Sequence, residues 1–187
     1  MRMAYHRRLR RMSAAEFASP VLHNDPEAQL EQLADALAAG NLPSQELARV
    51  RALVAQAEQA DTVSPVGRYR MAQLLGHCGA MSGAVEDVAR AHDLALRAMA
   101  QHRPARRLAA ELYDQQRVLS GLAQKFGTQP VASDELMGSS RPWVDPATTD
   151  SERAKWDLPS LEQLTAAHRA AVSNSGSKGD NYSGDTP

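Results

Sequence analysis

The stretch Pro104-Ala105-Arg106-Arg107-Leu108-Ala109-Ala110-Glu111-Leu112-Tyr113-Asp114-Gln115-Gln116-Arg117-Val118-Leu119-Ser120-Gly121-Leu122-Ala123-Gln124 reads as one amphipathic helix. Proline suits its first position, since the N–H it lacks would have no helical partner there. Leu108, Leu112, Leu119 and Leu122 recur at helical spacing and form its core side. At about 100° per residue, Asp114, Arg117, Gly121 and Gln124 fall within roughly 80° of one another on the other side. A chain with such a stripe must bury it against other helices.

The segments upstream repeat the pattern. Asp25 is a candidate N-cap with Pro26 behind it, Leu30, Leu33, Ala34 and Leu37 keep helical register, and Gly40 is a stop. A second helix begins near Ser44 on Leu47, Val50, Leu53, Val54 and Ala57, and ends before Ser64-Pro65. A third spans about Val66 to Cys78, with Met71, Leu74, Leu75 and Cys78 on one side and Gly76 and Gly79 weakening its end. A fourth runs roughly from Ser82 to His102 with Val85, Val88, Ala89, His92, Leu96 and Met99 inward.

Beyond Gly127 the composition turns to loop, with Pro130, Gly138 and Pro142. Asp145-Pro146 opens a short helix that ends near Trp156. Ser160 with Gln163 matches a capping box and opens a last helix to about Val172. Ser173 to Pro187 has almost no apolar content and is expected to be disordered. No alternating β-branched run is long enough for a strand. The expectation is one all-α domain of about six antiparallel helices with an irregular C-terminal return segment: a basic lead at 1–24, the helical domain at 25–172 and a tail at 173–187. No repeat of fixed period supports a solenoid.

Bulk properties narrow the class. With 187 residues, 43% hydrophobic and 23% charged, the chain has the composition of a soluble globular domain. A net charge of -1 argues against a general nucleic-acid binder. Arg2, Arg7, Arg8, Arg10 and Arg11 make the lead basic, and no long apolar run follows to make it a secretory signal. Nothing approaches the roughly 20 apolar residues of a membrane span. Cys78 is the single cysteine, which excludes an internal disulfide and a thiolate zinc cluster. The expected setting is cytoplasmic, with no cofactor, no membrane and no nucleic-acid partner.

The candidate chemistry lies where the helix of the opening stretch ends, at Gln124-Lys125-Phe126-Gly127-Thr128-Gln129. Asp114 offers a general base or cation ligand, and Arg117 a planar fork for a carboxylate or phosphate. Gln124 and Gln129 each donate and accept. Spacing alone favours a plainer reading: Asp114 and Arg117 form a surface pair on a solvated face, and Gly127 is only a left-handed helix stop. The tryptophan-bearing segment with Trp143, Val144, Trp156 and Leu158 decides between them, by crossing this face or not. His77 is a possible acid/base partner of Asp114. His92 lies on an apolar face and reads as a core histidine with one hydrogen bond. Cys78 reads as a packing residue. No histidine or cysteine spacing suggests a metal.

Tyr113-Asp114-Gln115-Gln116-Arg117-Val118, Gly121 and Gln124-Lys125-Phe126-Gly127-Thr128-Gln129 resemble the domain of unknown function 6624 family of bacterial proteins. That family shows an Asp-Arg stretch, a Gly, then Gln-x-Tyr-Gly-Thr-Gln. Leu74-Leu75-Gly76-His77 upstream, and Asp145-Pro146, Asp150, Arg153 and Leu158-Pro159-Ser160-Leu161 downstream, are similar to its other elements. The resemblance spans roughly 71–164; Phe126, Gly76 and Gln115 depart from it. It implies no activity, but it implies that His77, Asp114, Gln124, Thr128 and Gln129 form one polar constellation. Two functions follow as expectations. One is a small-molecule pocket beside the Gln124–Gln129 turn, with His77 and Asp114 as acid/base groups and Arg117, Gln124, Thr128 and Gln129 as ligand-binding groups. The other is a non-catalytic helical module that docks a protein partner.

Overall fold

The computed structural model describes residues 25–60, 63–129 and 144–167, and over these the chain is an all-α single domain. Helix α1 (Pro26–Ala38) starts as expected, with the Asp25 carboxylate accepting from the Glu27 N–H at 3.0 Å. It stops at Gly40, which stands at φ +69° while Gly40 and Asn41 N–H groups close back on Leu37 and Ala36. A single 3-10 turn at Ser44–Glu46 leads into α2 (Leu47–Gln59). Ser64 caps α3 (Pro65–Ser82) by accepting from Gly67 N–H at 2.9 Å. Then follow α4 (Val85–Ala98), α5 (Pro104–Leu119) and a short α6 (Asp150–Ala154). Residues 161–167 are again helical, behind a capping box made in full: Ser160 N–H donates to Gln163 Oε1 and Gln163 N–H to Ser160 Oγ.

Helix α3 is the hub. It packs against α1, α2, α4 and α5, so it buries residues around its circumference: Met71, Ala72, Leu74, Leu75, Cys78 and the glycines Gly67, Gly76 and Gly79. This corrects the expectation that Gly76 and Gly79 fray its end. A Cβ on Gly76 would stand 2.4 Å from Leu112 Cδ2 of α5, and one on Gly79 would stand 2.4 Å from Val88 Cγ2 and 3.0 Å from the Ala84 carbonyl. The glycines let α5 and the start of α4 lie against α3, and the packing gained outweighs their weak helix propensity.

Two more expectations are corrected by packing. The buried side of α4 is Asp87, Val88, Ala91, Leu94, Ala95 and Ala98, so Val85, Ala89, His92, Leu96 and Met99 lie on its flank. Small alanines face α3, because close helix approach favours small residues over the larger side chains that the pattern favoured. Asp87 is buried there with Arg51 of α2, Nε to Oδ2 2.7 Å. The second correction concerns α5, which ends at Leu119 rather than Gln124. Gly121 takes φ +70°, Gly121 N–H closes on Val118 and Leu122 N–H on Arg117. Leu122 is therefore 50% exposed instead of inward, and Gln124 is not on the helix.

One core joins α1 to α5 through Leu30, Val50, Val54, Met71, Leu74, Leu75, Val88 and Leu112. A smaller one unites Ala110, Phe126 and Leu158, with Tyr113 and Trp156 at its edge. The expected helix from Asp145-Pro146 begins only at Asp150, because Asp145 makes a turn by accepting Ala147 N–H on its side chain. Thr149 supplies the cap. Among the described residues there is no strand, only a parallel bridge between Gln124 and Val144. The basic lead, Trp143, the loop prolines and the C-terminal tail lie outside the described residues.

Candidate functional site

Asp114 faces inward from the penultimate turn of α5 and has no exposed surface. The surface-pair alternative is thereby overturned. The chain reverses at Gly121 and returns over the helix. It wraps Lys125 to Thr128 around the carboxylate. Oδ1 accepts from the Lys125 N–H at 2.7 Å and the Phe126 N–H at 2.9 Å. Oδ2 accepts from the Thr128 N–H at 2.9 Å, the Thr128 hydroxyl at 2.8 Å and, at 3.1 Å, the Phe126 N–H. Backbone N–H groups curling around an anion make a nest, and here the anion belongs to the protein. Gly127, buried and at φ +71°, provides the left-handed residue that aims its neighbours inward. It does not stop the helix, which Gly121 has already ended.

The two glutamines fasten the ends of this loop. Gln124 is 2% exposed and pairs with the Gln129 backbone as another strand would: its Nε2 donates to Gln129 O at 3.0 Å and its Oε1 accepts from Gln129 N–H at 2.8 Å. The Gln129 side chain donates to the Glu111 carbonyl of α5 at 2.8 Å. Arg117 Nε donates to the Ala123 carbonyl, and its guanidinium lies 5.8 Å from the Tyr113 ring centroid. Asp114, Arg117, Gln124, Thr128 and Gln129 are thus brought together, with their polar atoms engaged in shaping one loop. His77 stands apart. It is half-buried on α3, next to Gly76, whose carbonyl accepts from Gln115, and none of the hydrogen bonds on Asp114 comes from it.

The return segment covers the loop. Asp145 N–H donates to Gln124 O at 2.7 Å, the Thr148 hydroxyl to Lys125 O at 2.6 Å, and Lys125 Nζ meets Glu152 at 2.6 Å. Trp156 packs on Phe126 with ring centroids 5.8 Å apart. Arg153 is 1% exposed; its Nε donates to Pro159 O at 2.6 Å while Nη1 has no partner. Burial pushes this guanidinium below its usual range, and Asp150 and Asp114 pull it back up. Periodicity gave no sign of Arg153; only the Asp-x-x-Arg likeness drew it in. His92, on the flank of α4, makes the one hydrogen bond expected of it, with Nδ1 2.9 Å from Ala109 O, but it is only half-buried.

A space open to a ligand shares Glu111 with this knot. A cleft of about 410 Å³ lies between α3, the first half of α5 and the turn that follows α6. Tyr69 and Gln73 line it from α3; Arg103, Pro104, Arg107, Leu108 and Glu111 line it from α5; Asp157 closes its lip. Its charges are paired: Arg103 reaches across to both Asp157 oxygens, at 3.1 and 2.9 Å, and Arg107 holds Glu111 one turn along α5 at 2.8 Å. The Arg103 pair keeps the Asp157 carboxyl below the ordinary aspartate range. Tyr69 is raised above the usual phenol range, first by burial and then by Glu111, so it stays a proton donor. It accepts from Gln73 at 3.1 Å, and its ring meets the tilted His102 ring at a centroid distance of 4.7 Å. Sequence reasoning missed this cleft. Its signal was the spacing of Arg103, Arg107 and Glu111, four residues apart along one face of α5.

Among the described residues, no group of three or more His, Cys, Asp or Glu side chains is arranged to hold a metal, and no helix is long and apolar enough to cross a membrane. No family model, no curated protein and no solved structure matches the chain.

Proposed function

We propose that this protein binds a small polar molecule in the cleft between α3 and α5, and that the Gln124–Gln129 loop acts on that cleft through its wall. The observation that carries the reading is the bond from Gln129 Nε2 to the Glu111 carbonyl, which ties the loop to a residue lining the cleft. In this reading Asp114 is a positioning residue. Its lone pairs are taken by loop donors and its carboxylate is sealed from solvent, so it is poorly placed to take a substrate proton. Gln124, Thr128 and Arg117 likewise hold the loop. The resemblance of Gln124–Gln129 to the domain of unknown function 6624 family is consistent with a loop of this kind.

A thermal-shift screen of polar metabolites against wild type, Gln129→Ala and Arg107→Ala tests it. A cleft ligand near a hundredfold excess over its Kd stabilises by about 2.7 kcal/mol, a shift of several degrees. Arg107→Ala is expected to abolish the shift and Gln129→Ala to reduce it. Equal shifts in all three proteins would remove the cleft from the account. The rival docking module draws on the exposed Met81, Val118 and Leu122 side chains; ligand effects confined to the cleft residues set it aside.

A further inference from the structure

Resting on that cleft reading, we infer that the ligand is a zwitterion with an apolar side chain, of the size and chemistry of a free hydrophobic α-amino acid. Three features of the cleft converge on this class.

The first is charge. The lining carries Arg103 and Arg107 against Glu111 and Asp157, so its formal charges cancel. Each arginine already holds a carboxylate, but the arginine of each pair is largely exposed, which weakens the pair. A simple anion entering on an arginine would leave a displaced carboxylate behind, and a simple cation would strand an arginine. A zwitterion brings one charge of each sign and re-pairs both sides. The second feature is geometry. Arg103 presents Nε and Nη2 to both oxygens of Asp157, the fork that a ligand carboxylate would occupy in its place. Asp157 itself is fixed. It stands at φ +56°, between Trp156 and Leu158, which pack with Phe126. Its carboxylate is therefore presented at a set position for an ammonium group. The third feature is the floor. Leu108, Pro104 and the Tyr69 ring offer an apolar surface between the charged groups. The volume of about 410 Å³ lies in the range of small-molecule sites, roughly 300–1,000 Å³.

The test is a chemical-shift titration of the ¹⁵N-labelled full chain with L-phenylalanine, L-phenylalanine amide and N-acetyl-L-phenylalanine. The amide lacks the carboxylate and the acetyl compound lacks the ammonium. L-Phenylalanine is expected to move Tyr69, Gln73, Leu108 and Asp157 resonances saturably, and each derivative to bind at least about tenfold more weakly. Arg103→Gln should weaken the parent compound toward the amide's affinity, and Asp157→Asn toward that of the acetyl compound. Both sit at the exposed lip, and unchanged dispersion of the remaining resonances confirms their fold. If either derivative binds within about threefold of the parent, the zwitterion inference falls while the cleft reading stands. It falls in the same way if neutral polyols move the cleft resonances and L-phenylalanine does not. If no compound moves them, both readings fall.

Discussion

A carboxylate without exposed surface survives only if its lone pairs are filled, and at Asp114 they are filled by the N–H groups of Lys125, Phe126 and Thr128 and by the Thr128 hydroxyl. Asp114→Asn keeps the shape but turns an NH₂ group toward donors. Urea unfolding should show a loss of about 2–3 kcal/mol, with faster amide exchange at Phe126 and Thr128. Thr128→Val removes one donor and should cost about 1 kcal/mol. An Asn variant with the wild-type midpoint would refute the nest. Asp157 has a different, pH-dependent role. Its pKa is depressed in the fold by Arg103, so the native state binds that proton later than the unfolded chain does. Its contribution is complete above the ordinary aspartate pKa of about 3.9 and is lost as pH falls through the lower, folded value. The stability gap between wild type and Asp157→Asn should therefore be present at pH 6 and close as the solution is acidified below about pH 4.

Helix α3 shows how an element can be read correctly in its start and wrongly in its end. The sequence pattern begins α3 near Val66, within one residue of the observed start, where Ser64 is the cap and Pro65 the first helical residue. Gly76 and Gly79 looked like breakers because their purpose, the approach of Leu112 and Val88, lies on other helices and leaves no local trace. The same reason explains α4. Its alternation of large and small side chains fits two faces, and only the neighbour decides which is buried. It also explains Asp114: helical spacing located the residue on the side opposite the leucines, but the loop that buries it arrives from beyond Gly121. Both glycines invite a graded test. Gly76→Ala pushes only on the tip of Leu112, so it should cost about 1–2 kcal/mol and be relieved by Leu112→Val. Gly79→Ala also meets the Ala84 carbonyl, which cannot swing away, and should cost more, about 2–3 kcal/mol. Thermal melts of the three variants check the order.

At the scale of the whole molecule, the hub helix gives a reporter of global opening. Cys78 lies in the middle of the core with no exposed surface, and burial raises its thiol above the usual range. A thiol reagent should label it only through unfolding of the α1–α5 core, at a rate that tracks urea stability across variants. Rapid labelling of the native protein would show that α2 and α3 separate locally. The second assembly, in which residues 144–158 close over the loop, is held by fewer apolar groups and should open earlier in hydrogen exchange. The nest around Asp114 has a further consequence, for heredity. Two of its three backbone donors belong to Lys125 and Phe126, and an N–H is identical in every residue but proline. A saturation library should therefore tolerate nearly any letter at Lys125, where the pair with Glu152 and a contact of the ammonium with the Phe126 ring are lost, but not proline. Phe126 should accept other large apolar residues, while Asp114, Gly127 and Thr128 stay almost fixed. The spelling of this loop is free to drift between lineages as long as its shape is kept.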